Sequence, residues 1–227
     1  MNNSSLKDYR LAPLSGTTPD SAVIFLHGLG DSGSGGLLEI CRMWQSGLPR
    51  TEFLCPDAPH PFDMAPPDFG GRQWFSLHDF SQQAMDEGVL AAAPILNDYI
   101  DGILTTRKLK PARLALAGFS QGTMMALHVG LRRAEPLASI LGYSGMLTNT
   151  ALLAREKATV TPPVLLAHGT QDEVVPFAAM GTAAEIMKKN SIAVETLARP
   201  GLGHSIDEAG IAAGFRLLQR SISALDN

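Results

Sequence analysis

Six short apolar runs punctuate this chain, and longer segments of helical period lie between them. The runs are AVIFLH (22–27), EFLC (52–55), ARLALAG (112–118), LASILGYS (137–144), PVLLAH (163–168) and IAVETLA (192–198). Most are apolar at successive positions rather than at alternate ones, so both faces must be covered, as in a parallel sheet sandwiched by helices. Segments 36–46, 82–106, 121–134, 176–189 and 206–224 carry the helical spacing. Strands alternating with helices predict an α/β fold with a mostly parallel central sheet and helices on both faces. No repeat, low-complexity block or linker divides the sequence, and 227 residues suit one domain spanning 1–227. Little chain is left over for a separate cap domain.

Several function classes are disfavoured at once. Hydrophobic residues make up 45% and charged residues 18%, a globular balance. A net charge of −4 without a basic run argues against a nucleic-acid partner or a polybasic membrane patch. The opening MNNSSLKDYRLAPLSG lacks a signal pattern, no apolar run is long enough to span a bilayer, and the closing SISALDN has no prenylation motif. A cytoplasmic protein without a stable membrane anchor is therefore expected. Cys41 and Cys55 are too few for a disulfide framework and are read as small core residues.

The segment PDAPHPFDMAPPDFGGRQWFSLHDF (56–80) has five prolines and no sustained period. Loops of this length in compact domains are functional or disordered. Phe62, Met64, Phe69, Trp74 and Phe75 disfavour disorder, and such groups must lie against something, a bound ligand among the candidates.

The stretch LALAGFSQGTMMALHVGL (114–131) begins as a strand and ends as a helix, with GFSQG at the join. A tight strand–turn–helix join thrusts its apex side chain outward, in a strained conformation, and needs small residues two positions before and after. Ser120 between Gly118 and Gly122 meets each demand. The rival reading is an N-cap serine. As a nucleophile, a serine needs a base, and the base needs an orienting acid. In this fold class both follow the serine, acid first, on loops beyond strand ends. His27, His60 and His78 precede Ser120. His128 lies on the following helix, and His168 closes a strand, where a structural role is expected. His204, in RPGLGHSIDEAG after the last strand, has the required order and loop. Among Glu135, Glu156, Asp172, Glu173, Glu185 and Glu195, Asp172 sits at the strand-end position in the loop TQDEVVP, and the adjacent Glu173 would point elsewhere; the rival reading for Asp172 is a helix cap.

A negative charge developing on a substrate oxygen calls for backbone donors. Gln121 N–H opens the helix after Ser120, and the glycine-rich FLHGLGDSGSGG offers Leu29 N–H as its partner. That loop is neither G-x-G-x-x-G nor a Walker sequence, which disfavours a nucleotide site. No metal is expected, because no histidine pair has ligand spacing on a helix.

Together VIFLHGLGDSG, FLCPDAP, LALAGFSQGTMMAL, ILGYSGML, PVLLAHGTQDEVVP and GHSIDEAG resemble the acyl-protein thioesterase/carboxylesterase family of α/β-hydrolases, over about residues 22–218. The resemblance implies an α/β-hydrolase fold and cofactor-free hydrolysis of carboxylic esters or acyl thioesters. It implies Ser120 as nucleophile, Asp172 as orienting acid and His204 as base, with the Leu29 and Gln121 amides on the oxyanion. The chain departs from the family at Ser76, where an acid is common, and at Thr123, where a glycine is common. The expected reaction is that of a serine hydrolase cleaving esters, and acyl thioesters as an extension, through an acyl-enzyme. Trp74, Phe75, Met64 and Phe69 are expected to grip a short or medium acyl chain in a shallow site that admits small molecules or an acylated protein. The alternatives are a related hydrolase acting on a dienelactone or a peptide, and a non-catalytic binder with the same fold. A homodimer is left open.

Overall fold

The computed structural model describes residues 6–66 and 68–223. Met1–Ser5, Pro67 and the end of the chain after Ser223, including the last residue of the helix expected over 206–224, lie outside the described residues. In chain order the elements are β1 (Asp8–Leu11), β2 (Ser21–Leu26), α1 (Leu37–Gln45), β3 (Thr51–Pro56), β4 (His60–Pro61), β5 (Arg72–Gln73), α2 (Gln82–Arg107), β6 (Leu114–Phe119), α3 (Gln121–Gly130), β7 (Ser139–Tyr143), α4 (Thr150–Glu156), β8 (Val164–Gly169), α5 (Ala178–Lys189), β9 (Val194–Arg199) and α6 (Glu208–Ser223). The main sheet runs β1-β3-β2-β6-β7-β8-β9. Its pairings are parallel apart from β1, which lies antiparallel on β3 at one edge.

The apolar runs of β2, β3 and β6 to β8 are continuous because the sheet is covered twice there, whereas β9 at the edge is partly exposed. Ala22, Ile24 and Leu26 of β2 face a core built with α2, α3 and α5, while Val23 and Phe25 of the same strand face a second core with α1 and α6. Strand periodicity sends successive side chains to opposite sides, so both sides here must be apolar. This is the α/β-hydrolase architecture, and no separate cap is evident among the described residues.

The six expected strands correspond to β2, β3, β6, β7, β8 and β9, and the five expected helices to α1, α2, α3, α5 and α6. The structure adds β1, α4 and a two-stranded ribbon of β4 with β5. That ribbon is the answer to the irregular 56–80 segment. His60 pairs with Gln73 and Pro61 with Arg72, and Phe62 N–H donates to Gly71 O at 2.9 Å. The segment lies against the loop after β2: Gly30 N–H donates to Arg72 O at 2.9 Å, and Arg72 N–H donates to Asp31 O at 2.8 Å.

Candidate active site

Ser120 stands alone between β6 and α3, at φ 53° and ψ −118°, a region that side-chain-bearing residues avoid. It occupies the N-cap position, yet its hydroxyl makes no capping bond, so the hydroxyl does not serve the helix. Its backbone N–H is tied to Tyr143 O at the end of β7 at 2.9 Å. The flanking glycines are required by close approach. A Cβ at Gly118 would strike the Gly122 carbonyl, and a Cβ at Gly122 would strike the Leu26 carbonyl. Gly28 completes the enclosure, since a Cβ there would sit 3.2 Å from Ser120 Cβ and from the Phe119 ring.

The ends of β8 and β9 carry Asp172 and His204. Thr170 N–H donates to Arg199 O at 3.0 Å and Gln171 N–H to Leu202 O at 2.9 Å, which folds the 200–205 loop onto the turn after β8. His204 Nδ1 then meets Asp172 Oδ2 at 2.8 Å. The other carboxylate oxygen, Oδ1, accepts the Val174 and Val175 amides at 2.9 Å each. Asp172 does not cap α5, whose N-cap is Phe177 without a side-chain bond; one oxygen holds the turn at Val174 and Val175 and the other faces His204. Burial alone would raise this carboxyl, but the bonds from His204, Val175 and Val174 outweigh it and hold it below the usual carboxylate range. An ionised acceptor requires hydrogen on His204 Nδ1, so that in the neutral ring the lone pair is on Nε2. The His204 ring lies on Phe119, the residue before Ser120, with centroids 4.8 Å apart. Ser144 Oγ reaches Ser205 O at 3.4 Å, a second tie between the histidine loop and the end of β7.

His168 is buried at the end of β8, with Nε2 2.9 Å from Val175 O and 3.1 Å from Asp172 Oδ2. It braces the acid's turn, a structural role at a strand end.

Leu29 and Gln121 lie in the two segments that border Ser120. Among the described residues neither amide has a backbone acceptor. Gln121 does more than its backbone suggested. Its side-chain Oε1 accepts Trp74 N–H at 2.9 Å and its Nε2 donates to Phe75 O at 2.8 Å. Thr123, at the position where a glycine had been expected, also takes part: its hydroxyl lies 2.7 Å from Gly118 O and 2.9 Å from Tyr143 O, and accepts Tyr143 N–H at 3.0 Å. His27 was set aside for its order in the chain, yet its ring contacts both Gly28 O and Ala58 N–H. Side-chain to main-chain bonds between distant segments leave no periodic trace, so sequence reading had no signal for these three.

The four aromatic and apolar residues expected to hold an acyl chain separate into two pairs. Trp74 is completely buried and Phe75 nearly so, its ring against Gly88 of α2. Met64 and Phe69 are exposed on the ribbon's connecting loop, with Phe69 6.0 Å from Phe62 between ring centroids. Among the described residues no group of three or more His, Cys, Asp or Glu side chains is placed to hold a metal ion. No helix among them is long and apolar enough to cross a membrane.

Comparison with known proteins agrees in sequence and in shape. The phospholipase/carboxylesterase family pattern matches residues 14–222. Acyl-protein thioesterase 1 of Schizosaccharomyces pombe is 30% identical over 210 residues, covering 90% of this chain and 92% of the relative. The crystal structure of esterase PE8 superposes with a TM-score of 0.89 at 34% identity, covering 96% of this chain and 99% of that one. Acyl-protein thioesterase 2 of Zea mays superposes with a TM-score of 0.74 at 26% identity, covering 95% and 99%.

Proposed function

Because the chain belongs to the phospholipase/carboxylesterase family and is a hydrolase of the carboxylesterase and thioesterase class, we propose that Ser120, His204 and Asp172 are its catalytic triad. The observation that carries this reading is the 2.8 Å bond from His204 to a buried Asp172, made while the histidine ring lies on the residue adjoining the strained serine. His204 Nε2 takes the Ser120 proton as the hydroxyl oxygen attacks the acyl carbonyl carbon. The Leu29 and Gln121 amides hold the oxyanion of the tetrahedral intermediate; losing one such donor typically raises a barrier by roughly 2.7–4 kcal/mol. His204 then gives its proton to the leaving alcohol as the acyl-enzyme forms. A thiolate leaves with less help, so thioesters suit the same machinery. Water, deprotonated by His204, releases the acid in the second step.

The substrate is a small-molecule ester or acyl thioester with a short or medium acyl chain, or an acylated protein admitted by a rim without a cap. Met64 and Phe69, exposed on the ribbon loop, are assigned to meet it from outside. A cytoplasmic setting belongs to the same reading. The test is labelling with a fluorophosphonate probe, paired with hydrolysis of p-nitrophenyl esters and acyl thioesters of increasing chain length. Ser120→Ala should abolish labelling and lower kcat by about 10⁵–10⁶. Labelling of that variant at the wild-type rate would overturn the assignment.

A further inference from the structure

The two amides assigned above to the oxyanion come from separate segments, and a continuous path of buried hydrogen bonds joins them. Leu29 N–H shares its peptide with Gly28 O, and that peptide is trans. In a trans peptide the two groups point in opposite directions, so whatever fixes the carbonyl aims the amide. His27 does this. Its Nε2 accepts Ala58 N–H at 3.0 Å, which places the ring hydrogen on Nδ1, and Nδ1 donates to Gly28 O at 2.7 Å. The main-chain carbonyl of His27, one peptide earlier, accepts the Trp74 indole Nε1–H at 3.1 Å. The backbone N–H of Trp74 donates to Gln121 Oε1, and Gln121 Nε2 donates to the carbonyl of Phe75. Both polar ends of the Gln121 side chain therefore hold the 74–75 strap, while its backbone amide opens α3 beside Ser120.

None of these side chains is free to do anything else. His27 and Trp74 are completely buried and Gln121 is 1% exposed. A fully buried indole offers no surface to an acyl chain, so the pocket role expected for Trp74 gives way to a different one. We infer that Trp74 is a positioning residue: its indole N–H and its backbone amide together set the separation and aim of the Leu29 and Gln121 amides. The inference rests on the assignment of those two amides to the oxyanion. Oriented donors act only if they are already in place when charge develops, and a small displacement of such groups is costly in rate.

Trp74→Phe isolates the effect, because it keeps a buried ring and the backbone amide while removing the donor to His27 O. With p-nitrophenyl butyrate, kcat should fall about tenfold, with KM and the chain-length preference unchanged. The shape of the pH–kcat profile should also stay as it is, since no titratable group is removed. Binding of an alkyl boronic acid, which forms a tetrahedral adduct on Ser120, should weaken by the same factor as kcat. Gln121→Met, which leaves the indole in place, should give a loss of similar size, and the double variant should lose far less than the product of the two. If Trp74→Phe does not fold, as judged by its thermal transition, Gln121→Met carries the same test. An unchanged kcat in either folded variant overturns the positioning role. A raised KM with an altered chain-length preference also overturns it, in favour of a pocket wall. Failure of the oxyanion assignment looks different: kcat falls while boronate binding holds.

Discussion

Asp172 divides its work between two oxygens, and a single substitution separates the two tasks. Oδ1 holds the turn at Val174 and Val175, whereas Oδ2 holds His204 Nδ1–H and lies 3.1 Å from the buried His168 Nε2. Asp172→Asn keeps a carbonyl oxygen for the turn but can offer an NH₂ to the histidine, which favours the wrong tautomer. The expected outcome is a fall in kcat of roughly 10⁴, with a smaller loss of stability than removal of the whole side chain gives. Asp172→Ala removes both, so it should match that loss of rate and in addition cost about 1 kcal/mol of stability, the scale of a lost side-chain to main-chain bond. Equal stability of the two variants would show that Oδ1 does not matter to the fold. Thr123 invites a similar dissection. Thr123→Val keeps the shape but leaves Tyr143 N–H and the Gly118 carbonyl without the hydroxyl they share. Chemical denaturation should show a loss of about 1–3 kcal/mol, the cost of stranding buried polar groups.

Glycines show how element packing, rather than residue type, decides the sign of a substitution. A Cβ at Gly122 would collide with the Leu26 carbonyl, where β2 and α3 touch backbone to backbone and neither can give way. Gly122→Ala should therefore destabilise by more than about 4 kcal/mol or abolish soluble expression. Gly181, exposed within α5, would meet nothing within 4 Å, and Gly181→Ala should raise stability by about 1 kcal/mol through helix propensity alone. Urea midpoints of the two variants, measured side by side, check both signs. The same contrast explains what could be read from the chain. Continuous apolar runs identify β2, β3 and β6 to β8, because a doubly covered strand has no polar face. β1 is not legible because four residues with the pattern Asp-Tyr-Arg-Leu, only one of them buried at an antiparallel edge, carry no such signature. α4 has seven residues, too few for a period to show. At the site, the chain order of Ser120, Asp172 and His204 after β6, β8 and β9 was legible, whereas the inward side chains of Gln121, Thr123 and Trp74 were not. An aromatic residue in a proline-rich loop reads equally well as a ligand contact or as a buried strut, and only packing tells which.

Two cores on opposite faces of one sheet leave little room for charge, and this sets how the whole molecule should respond to acid. His128 lies within α3, 4% exposed, and its Nδ1 has no partner among the described residues. Burial, reinforced by the nearby Arg132 and only partly opposed by Glu156 and Asp86, pushes it down to about 4. His27 is likewise lowered, chiefly by burial. A histidine lowered on folding binds its proton more readily in the unfolded chain, so stability is intact above about pH 6.5 and declines as pH falls toward 4. For His128 this amounts to roughly 2 kcal/mol lost between pH 7 and pH 5. Asp172 works in another window: its carboxyl is lowered, so its contribution persists until pH drops below the ordinary carboxylate range. The two windows can be separated by replacing only the helix residue. His128→Met fills similar volume and removes both the titration and an unpaired nitrogen. That variant should match or exceed wild-type stability at pH 7 and keep most of it at pH 5, with the remaining slope attributable to His27. Urea midpoints at the two pH values give the answer directly. If the wild type and His128→Met lose the same stability between pH 7 and pH 5, the acid sensitivity of the molecule originates outside α3.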